Sequence, residues 1–186
     1  MDKLIVSSSP HLRSGTSTTK LMLDVIIALV PAAIASIVIF GPRALLIIGV
    51  CVVTCVLSEY VCRKVMKREN TIGDLSAVVT GMLLAFNLPV GIHPLMAAFG
   101  GIVAIVVVKQ MFGGIGQNFV NPALTARIVL MSSLPSPMST WAQPFYYLQG
   151  SADAMTTASP LGILKEGSGA EIPGYLDLFL GNNAGC

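Results

Sequence analysis

The sequence predicts an all-α integral membrane protein. Of its 186 residues, 54% are hydrophobic and only 11% are charged, and the mean hydropathy is +0.78. Soluble domains carry roughly 25% charged residues. The net charge of +2 carries no information about nucleic acid, because the basic residues follow membrane topology rather than one binding surface, and no nucleic-acid partner is expected. Membrane lipid is therefore the expected surroundings of this chain.

Apolar runs divide the chain into three parts. A polar cytoplasmic lead (1–20) precedes a membrane helical domain (21–140), and an outer-face loop (141–186) follows, after which the chain is expected to be truncated. The first two runs approach the ~20 residues that cross a bilayer. Pro31 is expected to kink the first run, and Gly41 with Pro42 ends it. The predicted membrane segments are 21–40, 44–61, 74–88, 95–111 and 121–134.

The third and fifth segments are short for a membrane span. Short or interrupted membrane segments often form binding sites, because unwound backbone is tolerated only where it lines a cavity. The alternative is a tilted short helix. Asp74 is a plausible N-cap for the third segment, and Gly100 with Gly101 allows close helix contact in the fourth.

Charged residues also lie within or at the ends of the apolar segments. Asp24 is either paired with Lys20 at the membrane edge or an ion ligand, because acids in spans are costly. Glu59 can pair with Arg63 at i and i+4. Lys109 lies near the end of its segment, where a long side chain can reach the interface.

The cysteines and histidines predict no metal site. Cys51 and Cys55 lie one helical turn apart, and a metal pair is conceivable there. However, no CxxC motif and no nearby histidine supports it, so packing is the favoured interpretation. His11 has no Cys, Asp or Glu beside it and is expected to be an ordinary interfacial residue.

The charge distribution predicts the orientation. If the N-terminus is cytoplasmic and all five segments cross, nine of the 11 Lys and Arg residues lie inside, and only Arg43 and Lys165 lie outside. Such a bias places the loop after the fifth segment on the outer face. That placement holds if both short segments are re-entrant, and it reverses if only one is.

Two polar stretches interrupt this apolar sequence. The first is the glycine-rich turn at 113–123, GGIGQNFVNPA, in which Asn121 is a good N-cap and Pro122 a good first helical residue. The second is the hydroxyl-rich loop 150–162, GSADAMTTASPLG, where Pro160 biases Ser159 towards an extended conformation. The loop is either a solvated connector or a place where a group is attached to a hydroxyl.

Together with SPHLR at 9–13, these stretches resemble the RnfD/NqrB family of membrane subunits. The resemblance runs from Ser9 to the end of the chain and covers about the first half of such a subunit. It implies one repeat of an inverted-repeat, urea-channel-like fold of about five transmembrane or partly re-entrant helices.

The resemblance also implies a covalent FMN, joined through its phosphate to a hydroxyl side chain. The family's attachment pattern is Asp, two variable residues, Ser or Thr, a small residue, Ala and then the acceptor Thr. The pattern maps onto Asp153, Thr156, Thr157, Ala158 and Ser159. The acceptor position holds serine here, and serine can form the same phosphoester. Ser159 is the predicted attachment site and Thr157 the fallback.

By the same resemblance, the chain is a subunit of a bacterial inner-membrane complex and is not catalytic alone. Such a complex couples ferredoxin/NAD-type electron transfer, through flavin, to translocation of Na⁺ or H⁺. Its expected partners are the other membrane and peripheral subunits and, during maturation, a flavin transferase.

The turn at 113–121 is a candidate site for a second, non-covalent flavin (riboflavin or FMN). Gln117, Asn118 and Asn121 would be its hydrogen-bond partners, although a helix-capping turn explains the same residues. The rival functions for the whole chain are a solute channel or permease of inverted-repeat type and a purely structural membrane subunit.

Overall fold

A computed structural model describes residues 15–68, 71–142 and 144–148, together with Lys165 and Leu176. Helices make up the fold of these residues, as predicted. The main helices are α1 (Thr18–Phe40), α2 (Pro42–Val65), α3 (Ser76–Phe86), α4 (Pro94–Ile102), α5 (Pro122–Ser133) and α6 (Pro135–Ser139). Short 3₁₀ turns cover Ile72–Asp74 and Tyr146–Leu148, and α4 continues as a π-helical stretch, Val103–Gln110.

The helices α1 and α2 are long and apolar enough to cross a bilayer. They contain 23 and 24 residues, and both are strongly apolar along their length. The Ser17 hydroxyl accepts a hydrogen bond from the Lys20 N–H and caps α1. Gly41, with φ of +76°, ends α1, and Pro42 begins α2. This boundary confirms the predicted one, and Pro31 lies within the continuous helix α1.

Two of the remaining helices are short, as predicted. The helix α3 has 11 residues and α5 has 12. At ~1.5 Å per residue, α3 is about 16 Å long, roughly half of the ~30 Å hydrocarbon core. The N-cap residue of α3 is Leu75, one residue after the predicted Asp74, whose side chain nevertheless accepts a hydrogen bond from the Ser76 N–H at 2.9 Å. The inverted-repeat relation stays a prediction.

The helix α2 lies at the centre of the packing and contacts α1, α3 and α4. Glycines permit the closest approaches: a Cβ placed on Gly81 of α3 would lie 2.7 Å from the Val52 Cα of α2. Gly101 of α4 faces Thr54 and Cys55 in the same way. Cys55 is a fully buried free thiol, as is Cys51, which confirms the packing interpretation of this pair. The helix α1, by contrast, has no buried residue.

Successive helices run in alternating directions, so the bundle has two distinct ends. The basic end carries the C-termini of α2 and of the π-helical stretch, the N-termini of α3 and α5, and the basic run at 63–68. The aromatic end carries Gly41, the loop 87–93 and the described residues 141–142 and 144–148. There the Tyr147 hydroxyl donates to the Val38 carbonyl at 2.6 Å. The Phe145 N–H donates to the Ile39 carbonyl at 2.8 Å.

Arg127 departs from the position that the charge count gave it. It lies midway along α5, and its guanidinium donates to the Asn87 side-chain oxygen at 3.0 Å, at the C-terminal end of α3. Arg127 is therefore a half-buried residue of the helix bundle rather than of a cytoplasmic loop. Lys109 is also buried within the bundle. Without these two residues the bias is still seven to two, and the orientation stays a prediction.

Candidate functional site

A cluster of polar side chains is buried at the basic end of the bundle. Its core, the buried polar cluster, consists of Glu59 from α2, Ser76 from α3, and Lys109 and Gln110 from the π-helical stretch. Glu59 and Gln110 have no exposed surface, and Lys109 is 2% exposed. Three helices therefore converge on one carboxylate in an otherwise apolar bundle.

The π-helical stretch places Lys109 and Gln110 next to Glu59. Its wider turn is visible in the hydrogen bond from the Met111 N–H to the Val106 carbonyl, which spans five residues. Both side chains then reach the same carboxylate from consecutive positions. The Gln110 Nε2 donates to the Glu59 Oε1 at 2.8 Å. Such π-helical insertions occur frequently at functional sites.

Glu59 and Lys109 form a buried ion pair. The Lys109 Nζ lies 2.9 Å from the Glu59 Oε1 and 3.0 Å from its Oε2, and it donates a third hydrogen bond to the Ser76 Oγ at 2.5 Å. All three ammonium donors therefore have acceptors. The prediction that Lys109 extends to the membrane interface is wrong, because the neighbouring carboxylate satisfies its charge inside the bundle.

The cluster continues towards its edge through two further groups. The Ser76 hydroxyl donates to the Asp74 Oδ1 at 2.6 Å, and the Thr71 hydroxyl donates to the Glu59 Oε1 at 3.3 Å. Asp74 and Thr71 are half-buried, next to the exposed Gly73. A line of hydrogen bonds thus connects the buried ion pair to a carboxylate near the surface of the basic end.

This arrangement suits proton or charge transfer better than metal binding. A hard cation such as Ca²⁺ takes about six to eight oxygen ligands, and even Na⁺ needs several free ones. Here the Glu59 oxygens are already occupied by the Lys109 ammonium and the Gln110 amide. Among the residues that the structure describes, no group of three or more His, Cys, Asp or Glu side chains could hold a metal ion.

A second feature is an apolar cavity of about 550 Å³ near the aromatic end. This volume is within the range of small-molecule and cofactor pockets. Its walls come from α1, α2, α3 and the segment around Trp141, and they include Phe40, Phe86, Ile47, Leu88 and the single hydroxyl of Ser36. Such a lining suits the apolar part of a ligand, with the Ser36 hydroxyl as its one hydroxyl contact.

Gln117, Asn118 and Asn121, the three amide residues of the turn at 113–121, lie at the basic end. Their contacts are those of a turn that caps a helix. The Asn121 Oδ1 accepts hydrogen bonds from the Ala123 and Leu124 N–H groups, which confirms Asn121 as an N-cap. With its amide nitrogen turned towards the backbone, Asn118 lies within donating distance, 3.1–3.3 Å, of the Val108, Lys109 and Gly114 carbonyl oxygens. Gln117 packs over Gly113, which has φ of +114°. The second flavin at this turn stays a prediction.

The predicted attachment residues lie outside the described part of the chain. This applies to Asp153, Thr156, Thr157, Ala158 and Ser159, and also to the motif at 9–13. The described segment that leads into the loop ends at Leu148, at the aromatic end. The turn at 113–121 and the start of the attachment loop are therefore at opposite ends of the bundle.

The buried polar cluster was not predicted from the sequence. The sequence did contain one indication of it. Glu59 and Lys109 carry opposite charges, each lies near the end of an apolar segment, and both are expected at the same face of the membrane. Local reasoning assigned Glu59 to Arg63 and Lys109 to the interface. Only the packing of α2 against the π-helical stretch shows that the two ends meet.

Comparison with known proteins places these features in a family. A family model described as "NQR2, RnfD, RnfE family" matches residues 5–186. One relative is the D subunit of the Na⁺-translocating ferredoxin:NAD⁺ oxidoreductase complex of Acetobacterium woodii, which is 47% identical over 185 residues (98% of this chain and 57% of the relative). Another is the D subunit of the proton-translocating ferredoxin:NAD⁺ oxidoreductase complex of Clostridium ljungdahlii, 42% identical over 188 residues (97% of this chain and 56% of the relative).

A more distant relative is the D subunit of the ion-translocating oxidoreductase complex of Escherichia coli. It is 36% identical over 141 residues, which cover 75% of this chain and 40% of the relative. The chain thus spans about half the length of the curated relatives it matches. The first two relatives carry different coupling ions in their names, so similarity alone does not decide the ion.

Proposed function

Because the chain belongs to the NQR2, RnfD, RnfE family, we propose that it is the membrane flavoprotein part of a complex that couples ferredoxin/NAD-type electron transfer to ion translocation. Its homologues are subunits of such complexes. The other subunits of the complex are its partners in this proposal. The chain contributes a bundle of helices to the ion path and a loop that carries flavin.

The observation that carries this proposal is the buried Glu59–Lys109 ion pair. Charged side chains inside a membrane bundle are costly, and they mark ion paths and proton relays. A purely structural subunit gains little from a buried pair, since apolar side chains of similar volume stabilise a bundle as well or better. The pair lies 2.9 Å apart with almost no exposed surface, so both groups lose their hydration completely.

The proposed cofactor is FMN, attached through its phosphate to Ser159 with Thr157 as the fallback. When bound, FMN exchanges electrons one or two at a time, and the protein provides position and polarity. Ser159 is 11 residues beyond Leu148, and 11 extended residues reach roughly 35 Å. This reach allows the apolar dimethylbenzene side of the ring system to enter the cavity at the aromatic end, beside Trp141 and Phe86.

The proposed location is the bacterial inner membrane, with the N-terminus in the cytoplasm. The basic end then faces the cytoplasm and the aromatic end faces outwards. A covalent link keeps the flavin from diffusing away on the outer face. Maturation requires a flavin transferase. The small residues Ala154 and Ala158 would let the loop enter the active site of that enzyme.

In-gel flavin fluorescence tests this function. The chain is co-expressed with a flavin transferase, denatured and separated, and a fluorescent band at its mass is expected. Ser159→Ala should abolish the band, while Thr157→Ala, the matched control, should retain it. A dark band from the unsubstituted chain would count against the proposal and favour the channel or permease alternative. Loss of fluorescence in Thr157→Ala alone would move the attachment site to Thr157.

A further inference from the structure

The hydrogen bonds of the buried polar cluster form an unbroken line from one ionisable group to another. Lys109 donates to the Ser76 Oγ, and the Ser76 hydroxyl donates to the Asp74 Oδ1 at 2.6 Å. At the inner end, the Lys109 ammonium contacts both Glu59 oxygens. Each group in this line can both take up and release a proton.

We propose that Asp74, Ser76 and Lys109 form a proton relay between water at the basic end of the bundle and the buried carboxylate of Glu59. Asp74 is half-buried beside the exposed Gly73, so it is the entry, and Glu59 is the terminus. This inference rests on the proposed ion translocation, and it assigns to that function a proton-carrying path.

Proton uptake through the relay balances as follows. Lys109 passes one N–H proton to a Glu59 oxygen, which leaves an amine and a carboxylic acid. The Ser76 hydroxyl rotates and gives its proton to the amine, while its oxygen takes the proton of an Asp74 carboxyl that water has protonated. The net change is one proton moved from water to Glu59. Only N–H and O–H bonds break and form, and no electron is exchanged.

The side-chain amide of Gln110 can hydrogen-bond to Glu59 in both of its protonation states. Its Nε2 donates to the Glu59 carboxylate, while its Oε1, although fully buried, has no hydrogen-bond partner among the described residues. Burial of an acceptor without a donor is unfavourable. Rotation of the amide would turn the Oε1 towards Glu59, where it would accept the O–H of the protonated acid. The unpaired oxygen is thus explained by a second state of the cluster.

The surrounding charges are consistent with a proton as the cargo. Among the described residues, the ionisable groups beside Glu59 are Lys109 of the π-helical stretch and the Cys55 thiol one turn away on α2, with Asp74 reached through Ser76. The Lys109 ammonium occupies the position that a bound cation would need. A proton passes along this line with rotation of only the Ser76 hydroxyl and the Gln110 amide, and Lys109 keeps its position.

Infrared spectroscopy on the full chain in lipid nanodiscs tests the relay directly. After a rapid drop in pH, the appearance of a carboxylic-acid band that Glu59→Gln removes reports the arrival of a proton at Glu59. Asp74→Asn keeps a side-chain oxygen that can accept from the Ser76 N–H but cannot carry a proton, and Ser76→Ala removes the linking hydroxyl. Each should slow this band by on the order of 100-fold, the usual contribution of one positioned proton carrier.

Two controls separate transfer from folding. Ser76→Thr restores a hydroxyl and should restore the rate to within a few-fold of the unsubstituted chain. Ser132→Ala removes an exposed hydroxyl of α5 that donates to the Ile128 carbonyl of the same helix, and it should leave the rate unchanged. Equal rates in Asp74→Asn and the unsubstituted chain would overturn the relay, as would the absence of any Glu59-dependent band. The proposed function fails separately: a chain without flavin but with these rates would refute that function and leave the relay standing.

Discussion

The ion pair of Glu59 and Lys109 should behave as one thermodynamic unit. Glu59→Gln leaves the Lys109 ammonium buried without a counter-charge, and Lys109→Met does the same to the carboxylate. Both side chains are at most 2% exposed, so each single substitution should cost about 3–5 kcal/mol. For a chain of this size, that cost lowers the melting temperature by roughly 6–20 °C.

The double substitution should be far milder than either single one. When Glu59→Gln and Lys109→Met are combined, neither charge remains buried, and the amide introduced on α2 can still accept from the Gln110 Nε2. Replacing a buried pair by uncharged groups is often nearly neutral. The double variant should therefore recover most of the lost stability, to within about 2 kcal/mol of the unsubstituted chain.

Fluorescence-detected size-exclusion chromatography after heating, on the full chain in detergent, measures these melting temperatures. Asp24→Asn is the matched control, because it makes the same carboxylate-to-amide change at an exposed site on α1. It should shift the free energy of unfolding by no more than about 0.5 kcal/mol. Additive losses in the double variant would refute the reasoning, since they would show that Glu59 and Lys109 do not compensate each other.

Three other substitutions test the packing and the caps by the same thermal measurement. Gly81→Ala should cost about 1–3 kcal/mol, because the new Cβ would lie 2.7 Å from the α2 backbone. The control Gly49→Ala meets nothing within 4 Å and should not destabilise the chain, so equal effects would contradict the close contact. Asn121→Ala removes the α5 cap and should lower the free energy of unfolding by about 1 kcal/mol, while Asn121→Asp retains the cap. An equal loss of stability in both variants would require a role for Asn121 beyond capping. Tyr147→Phe removes the 2.6 Å hydrogen bond to the Val38 carbonyl and should lower the free energy of unfolding by about 0.5–1.5 kcal/mol. It should also speed amide hydrogen exchange in residues 144–148, and unchanged exchange would show that this bond does not hold the segment.

Features that depend on local sequence were predictable. The boundary at Gly41 and Pro42, the Asn121 cap, the short third and fifth helices and the packing role of Cys51 all follow from backbone preferences, helix length and side-chain size. These properties belong to a few neighbouring residues, so they do not require knowledge of the tertiary fold. The predicted orientation depends on parity, and the alternating helices are consistent with it.

Features that depend on which helix ends meet were not predictable. Lys109 and Glu59 are 50 residues apart, and each has a reasonable local role when read alone. The π-helical stretch, which places Lys109 and Gln110 beside the same carboxylate, has no signature in the apolar run VAIVVVKQ. Arg127 likewise finds its partner, Asn87, only through the packing of α5 on α3.

The most direct test of the account is mass spectrometry of the peptide that covers residues 150–165, taken from the chain matured beside a flavin transferase. The account predicts that this peptide carries one FMN, joined as a phosphoester with loss of one water, and that fragmentation places it on Ser159. A peptide that is entirely unmodified under these conditions would contradict the flavoprotein assignment.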